Sequence, residues 1–194
     1  MKRLLLVLLS LILSGCSSVV ATENFSTGAA VQTTSEKCPG TVDLSAPFAA
    51  LFEPVENEAL LEAALGKPTE GRLCQGKVYR VKGMEVSLYR AWNSTNPNSR
   101  LGKWWAFAAP EGRTTRFRFD FEVCYQWSPL DKLTRCAFRA GTEVVVGTGQ
   151  SATCDEYLTY PASATQQVYI EDASIFVSGC SDYDAFFKWE SVAD

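Results

Sequence analysis

The 194-residue chain contains no histidine. Histidine is the side chain whose charge changes near neutral pH, and it is a frequent general base and metal ligand. Its absence excludes catalysis by an imidazole base and any histidine–metal site. The G-x-S-x-G and S-x-x-K motifs of serine hydrolases are absent too, and there is no C-x-x-C pair of the kind that holds zinc. The sequence therefore predicts no catalytic residue, no metal site and no cofactor.

Long apolar stretches are also absent. The run from Leu4 to Leu13 is interrupted only by Ser10, and it is about ten residues long, whereas a helix that spans a bilayer needs about 20. Lys2 and Arg3 precede it. A short positive segment before a short apolar run is typical of a secretory signal peptide. We therefore assign residues 1–15 to a signal peptide, and no other segment is expected to span a bilayer.

The signal peptide ends in Leu13-Ser14-Gly15-Cys16, which resembles the lipobox of bacterial lipoproteins. The resemblance implies that Cys16 becomes the first mature residue and carries acyl chains, palmitate among them. The next residue is Ser17 rather than aspartate, which in such lipoproteins implies passage to the outer membrane. The expected location is the bacterial outer membrane, with a lipid anchor and a domain facing the periplasm or the cell surface.

Residues 16–36 are rich in Ser, Thr and Ala and follow no sustained period. We interpret them as the lipidated cysteine and a flexible tether, followed by a single globular domain at 37–194. The mature chain would carry 16 basic and 22 acidic residues. That balance gives no reason to expect a nucleic-acid partner.

Six cysteines remain in the expected domain. An even number in an exported chain favours three disulfides over metal binding. Spacing cannot choose among the 15 pairings, but nearest-neighbour pairing predicts Cys38–Cys74, Cys124–Cys136 and Cys154–Cys180.

The order of elements predicts an α+β, mostly β fold, a compact disulfide-stapled antiparallel sheet domain with one or two N-terminal helices. Helical spacing of apolar residues covers 45–65, with Ser45 as N-cap and Gly66 as the stop. A Gly-rich turn is expected at 147–152. The expected strands are 77–82, 84–92, 103–108, 115–126, 134–139, 142–147, 166–171 and 173–178.

Segment 115–126 has the clearest alternation in the chain. Aromatic and aliphatic residues from Phe117 to Tyr125 occupy every second position, with mostly charged residues between them. Period-two alternation predicts a strand whose aromatic face lies in the core. Turn residues at 127–131 would then join it to 134–139 as a hairpin, which brings Cys124 near Cys136.

Basic residues are concentrated between 77 and 118, and acidic ones after 118. One interpretation is that these segments lie side by side in a sheet and pair across strands. The other is a cationic cleft for an anionic ligand such as a lipid phosphate, a nucleotide or a polyanionic glycan. The candidate anion-binding residues are Arg90, Lys103, Arg116 and Arg118.

Residues 78–172 faintly resemble the ADP-ribosyltransferase fold of bacterial toxins. Leu88-Tyr89-Arg90 would stand for the strand that carries the arginine for the cofactor phosphates, and Gln166-Gln167-Val168-Tyr169-Ile170 for the late strand with its Gln/Glu-x-Glu pair. The resemblance implies that Arg90 and Gln167 would be the functional pair. The Ser-Thr-Ser strand of many members is replaced by Trp104-Trp105-Ala106-Phe107, and Gln167 lacks the charge of a glutamate.

The sequence thus favours an envelope lipoprotein that acts as a binding or interaction module. Its partner would be an envelope protein, a glycan or an anionic ligand. The alternative is an ADP-ribosyltransferase-like domain that binds a nucleotide or another anionic ligand. A pocket that holds Arg90 and Gln167 would favour the alternative, and a flat aromatic patch would favour recognition.

The lipobox makes a direct prediction about Cys16. Cells fed a lipid analogue should label the wild-type protein and leave Cys16→Ser unlabelled, because only the cysteine thiol can be acylated at this position. Gel fluorescence after capture of the label measures this. Label retained on the serine variant would contradict the assignment.

Overall fold

The computed structural model describes residues 37–83 and 85–184, so the expected signal peptide, Cys16 and tether lie outside the described residues. Three short α-helices and ten strands follow one another, with single 3-10 turns at Pro97–Ser99 and Ala173–Ile175. In chain order they are α1 (Phe48–Leu51), β1 (Phe52–Pro54), α2 (Glu58–Ala64), β2 (Leu73–Val81), β3 (Val86–Trp92), β4 (Trp104–Trp105), α3 (Thr114–Asp120), β5 (Lys132–Phe138), β6 (Glu143–Gly149), β7 (Ala152–Thr153), β8 (Thr159–Tyr160), β9 (Gln166–Tyr169) and β10 (Val177–Asp184).

The strands form three antiparallel sheets. The largest has the order β1-β2-β6-β9-β4, the second β10-β5-β3, and β7 pairs with β8. Tyr89 of β3 and Ala106, just after β4, exchange both backbone hydrogen bonds, at 2.9 and 2.7 Å. The edges of the two larger sheets therefore meet at this bridge.

The two larger sheets share one hydrophobic core. Val144 and Val146 of β6 and Val168 of β9 face Leu88 of β3 and Phe138 of β5 in a single cluster. The intervening Val145 belongs to a second cluster with α2 on the other side of the large sheet. Both faces of β6 are buried, which suits its three consecutive valines at 144–146.

The antiparallel, mostly β fold class with short N-terminal helices is confirmed. The strand predictions at 77–82, 84–92, 134–139, 142–147 and 166–171 coincide with β2, β3, β5, β6 and β9 to within a few residues. The strand expected at 103–108 is reduced to β4, and that at 173–178 begins as a 3-10 turn before β10. The glycines of the expected turn at 147–152 lie inside β6.

The helical region predicted at 45–65, expected to hold one or two helices, contains two helices separated by a strand. Pro54 ends β1, which pairs with β2, so the chain cannot continue as one helix. The N-cap of α2 is Asn57, whose side chain accepts the Leu60 N–H at 3.1 Å. Helix propensity thus agrees with the structure on either side of residues 52–54, where strand pairing overrides it.

The strand predicted at 115–126 is wrong, because its first half is the helix α3. Phe117 and Phe121 stack at 4.4 Å between ring centroids, and Arg116 bonds Asp120 at 2.7 Å. Both pairs are four residues apart and stabilise a helix. Residues four apart also share a strand face, so the alternation suits both structures. Phe119 is 44% exposed, so the aromatic residues do not form one core face.

All six cysteines of the described chain form disulfides, as expected. Cys38–Cys74 is confirmed, but the other two predicted pairs are wrong: Cys124 bonds Cys154, and Cys136 bonds Cys180. The predicted hairpin does not exist, since α3 replaces its first strand. Cys136 lies on β5 beside β10, and that pairing brings it to Cys180. Three disulfides indicate an oxidising, extracytoplasmic compartment.

None of the helices in the two described ranges is long and apolar enough to cross a bilayer.

The Cys136–Cys180 bridge should contribute more stability than Cys38–Cys74. The two bridges span similar separations, 44 and 36 residues, so chain entropy favours both about equally. Cys136, however, is fully buried in the main core, and its truncation leaves a cavity. We expect C136A/C180A to lose about 2–5 kcal/mol of unfolding free energy, more than C38A/C74A. Urea denaturation measures both, and equal losses would contradict the expectation.

Candidate functional site

A cavity of about 210 Å³ lies where the edges of the two larger sheets meet, and we call it the aromatic pocket. Seven aromatic side chains line it, from β3, β4, α3 and the loop after α3. Four of them are tryptophans, out of five in the chain. The aromatic residues are Tyr89, Trp92, Trp104, Trp105, Phe117, Phe121 and Trp127.

Several of these aromatic groups are fixed by their own hydrogen bonds. The Trp92 indole N–H donates to Thr134 Oγ1 at 2.9 Å, and that of Trp105 to the Gly102 carbonyl at 2.7 Å. These two tryptophans therefore offer the cavity ring surface and no free N–H. Trp127 is 51% exposed and stands at the solvent side. The pocket is thus an apolar slot with an open aromatic edge.

The polar part of the lining includes a buried pair, Glu122 and Gln167. Gln167 Nε2, on β9, donates to Glu122 Oε2 at 2.6 Å. The other carboxyl oxygen, Oε1, is buried and makes no hydrogen bond of ordinary length and angle with a described residue, although Ser163 lies beside the carboxyl. Buried polar atoms nearly always have a partner, so an unpaired oxygen in a pocket wall requires an explanation.

Glu122 has an unusual backbone conformation for a glutamate. Its φ is +48°, and the Val123 N–H donates to the Arg118 carbonyl at 3.0 Å. This is the arrangement that ends helices with a left-handed residue, a position that glycine usually occupies. A non-glycine residue there costs about 1 kcal/mol. A glutamate at this position therefore strains the local backbone, and strain of this kind is concentrated at functional sites.

The carboxyl of Glu122 is held in a protonated state near neutral pH. Burial raises the pKa of Glu122 to about 8, and the negative charge of Asp120 raises it further, while hydrogen bonds from Ser163 and Gln167 act in the opposite direction. Only 2% of the residue is exposed. The group is therefore a neutral acid inside the pocket wall at pH 7.

Gly149 of β6 makes room for this carboxyl. A Cβ atom on Gly149 would lie 1.8 Å from Glu122 Oε2, which no real structure tolerates. The glycine is required by this close approach and not by a turn. The Gly-rich pattern that suggested a turn therefore contains the glycine that contacts the Glu122 carboxyl.

Arg90 is a second polar group in the lining, and it is half-buried. Its Nε donates to the Ser99 carbonyl at 2.6 Å, and Nη1 to the Trp104 carbonyl at 2.7 Å. Burial lowers the pKa of Arg90 to about 10, so it remains charged at neutral pH. No carboxylate of the described chain lies within 4.0 Å of it.

The other candidate anion-binding residues are not part of the pocket lining. Lys103 pairs with Glu171, and Arg116 with Asp120. Arg118 donates to the backbone carbonyls of the loop that follows it, at 2.7–3.3 Å. Elsewhere in the basic segment, Arg80 pairs with Glu53 and Glu143 on both neighbouring strands, as the cross-strand interpretation expects.

The residue pair of the transferase resemblance, Arg90 and Gln167, does line one cavity. Sequence reasoning missed Glu122, which it placed on the charged face of a strand. Only the three-dimensional structure reveals its role, because its position depends on the helix end at 120–122 and on a glycine of a strand that is distant in sequence.

Among the described residues, no group of three Asp, Glu, Cys or His side chains could hold a metal ion. Comparison with known protein families, curated proteins and solved structures finds no match for this chain.

The raised pKa of Glu122 predicts a pH-dependent stability. The folded protein keeps the proton up to about pH 8, whereas an unfolded glutamate releases it near 4.5. This group's stabilisation is complete below pH 4.5 and is lost as the pH rises toward 8. Each unit of difference between the folded and unfolded pKa amounts to about 1.4 kcal/mol, so we expect the unfolding free energy to fall by a few kcal/mol.

Urea denaturation between pH 5 and about pH 8.5 measures this loss. Glu122→Gln, which cannot ionise, should remove most of the decline. The matched control is Glu156→Gln, a change at an exposed acid, which should keep the wild-type slope. Identical slopes for all three proteins would refute the assignment.

Proposed function

We propose that the protein is a non-catalytic binding module of the bacterial envelope, and that the aromatic pocket binds a small ligand through a single ring. The observation that carries the proposal is the combination of aromatic walls with two polar groups, the half-buried Arg90 and the buried Glu122, in one cavity. Small-molecule sites in proteins are concave and mostly apolar, with a few fixed polar groups.

The volume of the pocket limits the size of the ligand. A cavity of about 150 Å³ accommodates benzene, and drug-sized ligands occupy roughly 300–1,000 Å³. At about 210 Å³ the aromatic pocket suits one ring with one small substituent. A larger molecule would leave most of its atoms outside, beside Trp127.

The walls of the pocket are rigid before any ligand arrives. The Cys124–Cys154 disulfide ties the loop after α3 to the segment that follows β7. Arg118 binds three carbonyls of the same loop, and Gln126 Nε2 donates to the Cys154 carbonyl at 2.6 Å. Preorganised walls reduce the entropy cost of binding, which supports recognition as the role of this loop.

The proposed setting is the outer membrane. Acylation of Cys16 would anchor the chain, and residues 17–36 would tether the domain that carries the pocket. The three disulfides support an extracytoplasmic location without choosing a membrane.

An ADP-ribosyltransferase-like activity is the second candidate, and the presence of Arg90 and Gln167 in one pocket favours it. Two observations weigh against it. The Gln167 amide is bound to Glu122, and a neutral Glu122 provides no negative charge for a developing oxocarbenium ion. The cavity is also too small for a dinucleotide.

Trp127→Ala should weaken binding in the pocket. Trp127 forms the open edge, so its removal should lower the affinity for one-ring probes about tenfold, or about 1.4 kcal/mol. Ligand-observed NMR with benzoate, benzamide and methyl β-glucoside measures this. The matched control is Tyr157→Ala, at a residue that is 89% exposed and outside the pocket.

Failure of every one-ring probe to bind would contradict the binding proposal, as would equal losses in the two variants. NAD⁺ is added to the same panel to test the second candidate. Its consumption, with release of nicotinamide, would favour the transferase-like alternative.

A further inference from the structure

An aromatic surface lies beside the open edge of the pocket. Of the six large apolar side chains that are exposed in the described ranges, four belong to α3, the loop after it and the turn between β7 and β8, and all four are aromatic. Together with the half-buried Tyr160 of β8 they are called the hairpin patch: Phe119, Tyr125, Trp127, Tyr157 and Tyr160. Exposed apolar patches mark sites of interaction with proteins or membranes.

One side of the hairpin patch is continuous through the short hairpin of β7 and β8. The rings of Phe119 and Tyr160 lie edge to face, with their centroids 6.4 Å apart. Tyr160 pairs with Ala152 across the hairpin. A Cβ atom on Gly71 would lie 3.4 Å from the Trp127 ring and 3.7 Å from the Ala152 Cβ, so Trp127 borders the same hairpin.

The other side of the hairpin patch is joined through Asp155. The Tyr125 hydroxyl donates to Asp155 Oδ2 at 3.0 Å, and the Tyr157 N–H donates to Oδ1 at 2.8 Å. The Cys124–Cys154 disulfide links the same two loops. These contacts hold the loop after α3 and the turn of the hairpin side by side, so the exposed rings are displayed by a fixed backbone.

The chain enters the domain next to this patch. A Cβ atom on Gly40 would lie 2.8 Å from the Ala164 carbonyl oxygen, so the N-terminal end of the described chain packs on the segment after β8. In that segment the Ser163 hydroxyl donates to the Asp120 carbonyl at 2.7 Å, at the end of α3. The chain entry is therefore a neighbour of both elements, α3 and β8, that carry the patch.

The proposed anchor would keep the domain close to a bilayer. Residues 17–36 are 20 residues of chain between Cys16 and the domain, and a loose chain of that length reaches about 25 Å. Attachment makes any contact between the domain and the membrane intramolecular, with an effective concentration in roughly the millimolar range. A surface with weak intrinsic affinity for lipid would then be docked for much of the time.

We propose that the domain rests on the membrane through the hairpin patch, with its tyrosine and tryptophan rings in the headgroup layer of a zwitterionic phospholipid surface. The inference rests on the proposed membrane setting and adds the orientation of the domain. Tyrosine and tryptophan combine an apolar ring with a polar tip, and they are enriched where membrane meets water. The chain entry beside the patch brings this face, and no other, to the anchored side.

The charges around the hairpin patch favour a zwitterionic surface over an anionic one. Asp155 and Glu156 lie in the turn that carries Tyr157. The Arg116 guanidinium lies 5.9 Å from the centre of the Phe119 ring. Headgroups that carry both signs meet this mixed surface without net repulsion. Burial of the rings, and not attraction between charges, then supplies the affinity, so salt should not weaken the docking.

The test uses the acylated, disulfide-intact protein purified from membranes and reconstituted in phosphatidylcholine vesicles, with and without lipids brominated near the top of the acyl chains. Bromine quenches indole emission at short range. Trp127→Phe keeps a ring in the patch, so the difference between its quenching and that of the wild type isolates Trp127. We expect Trp127 to be quenched, and equally so at about 1 M salt, where charges are screened within about 3 Å.

A double variant tests the remaining rings of the patch. Y125S/Y157S removes two rings from the interface, so the docking equilibrium constant, measured by the quenching of Trp127, should fall about tenfold. The matched control is Ile175→Ser, which should keep the wild-type quenching. Ile175 is 59% exposed and precedes β10, whose first residue pairs with Phe138 at the end of β5 opposite the pocket.

The outcomes separate the inference from the setting on which it rests. If the purified protein does not stay with the vesicles, the membrane setting is wrong and the docking inference falls with it. If the protein stays and Trp127 is not quenched, the setting and the pocket proposal stand and the docking inference fails.

Two further results would overturn the docking inference. Equal quenching in Y125S/Y157S and Ile175→Ser would show that the tyrosines do not contribute, and loss of quenching at high salt would show that charge holds the domain. If Trp127 is unquenched and Tyr157→Ser changes the cross-linked oligomer on the vesicles, the patch belongs instead to a contact with a second copy of the chain.

Discussion

The aromatic pocket depends on the close contact between the Glu122 carboxyl and the backbone of Gly149. A side chain on Gly149 would overlap Oε2 at 1.8 Å, so the loop after α3 could not seat against β6. With the loop packed against β6, Phe121, Glu122 and Val123 line the pocket together with the rings of β3 and β4. The left-handed end of α3 and the raised pKa of its last buried acid both follow from the same contact. A glycine within a strand and a glutamate after a helix thus form one structural unit.

The same contact sets the protonation state of a polar group in the pocket lining. Burial keeps the acid neutral, which converts an ordinary acceptor into a donor on one of its oxygens. Arg90 contributes further donors, and the indole N–H groups of Trp92 and Trp105 are already used within the protein.

Sequence reasoning found the strands with both faces buried and the apolar spacing of α2, because their patterns permit one interpretation. It failed at 115–126, where residues four apart share a face in a helix and in a strand alike. Stacking of Phe117 on Phe121 and the Arg116–Asp120 pair favour the helix, and both are local contacts between residues four apart, which alternation alone does not distinguish from a shared strand face. The disulfides failed for a related reason, since strand pairing places Cys136 beside Cys180 across 44 residues. Arg90 and Gln167 were singled out by the resemblance to the ADP-ribosyltransferase fold, and both stand on correctly predicted strands. Glu122 could not, because its position depends on a helix end that the sequence pattern concealed.

A chain without histidine still has a group that titrates near neutral pH. Exposed carboxyls titrate far below pH 7, but burial moves the pKa of Glu122 to about 8 and leaves a proton that can be lost close to physiological conditions. Burying this acid has two unfavourable consequences: the backbone at Glu122 is strained, and the unfolding free energy falls as the pH rises. Cys124–Cys154 anchors the loop that carries this acid, and Arg118 ties the same loop to α3. These contacts fix the loop against β6, so the free energy needed to ionise the buried acid appears in the stability of the fold.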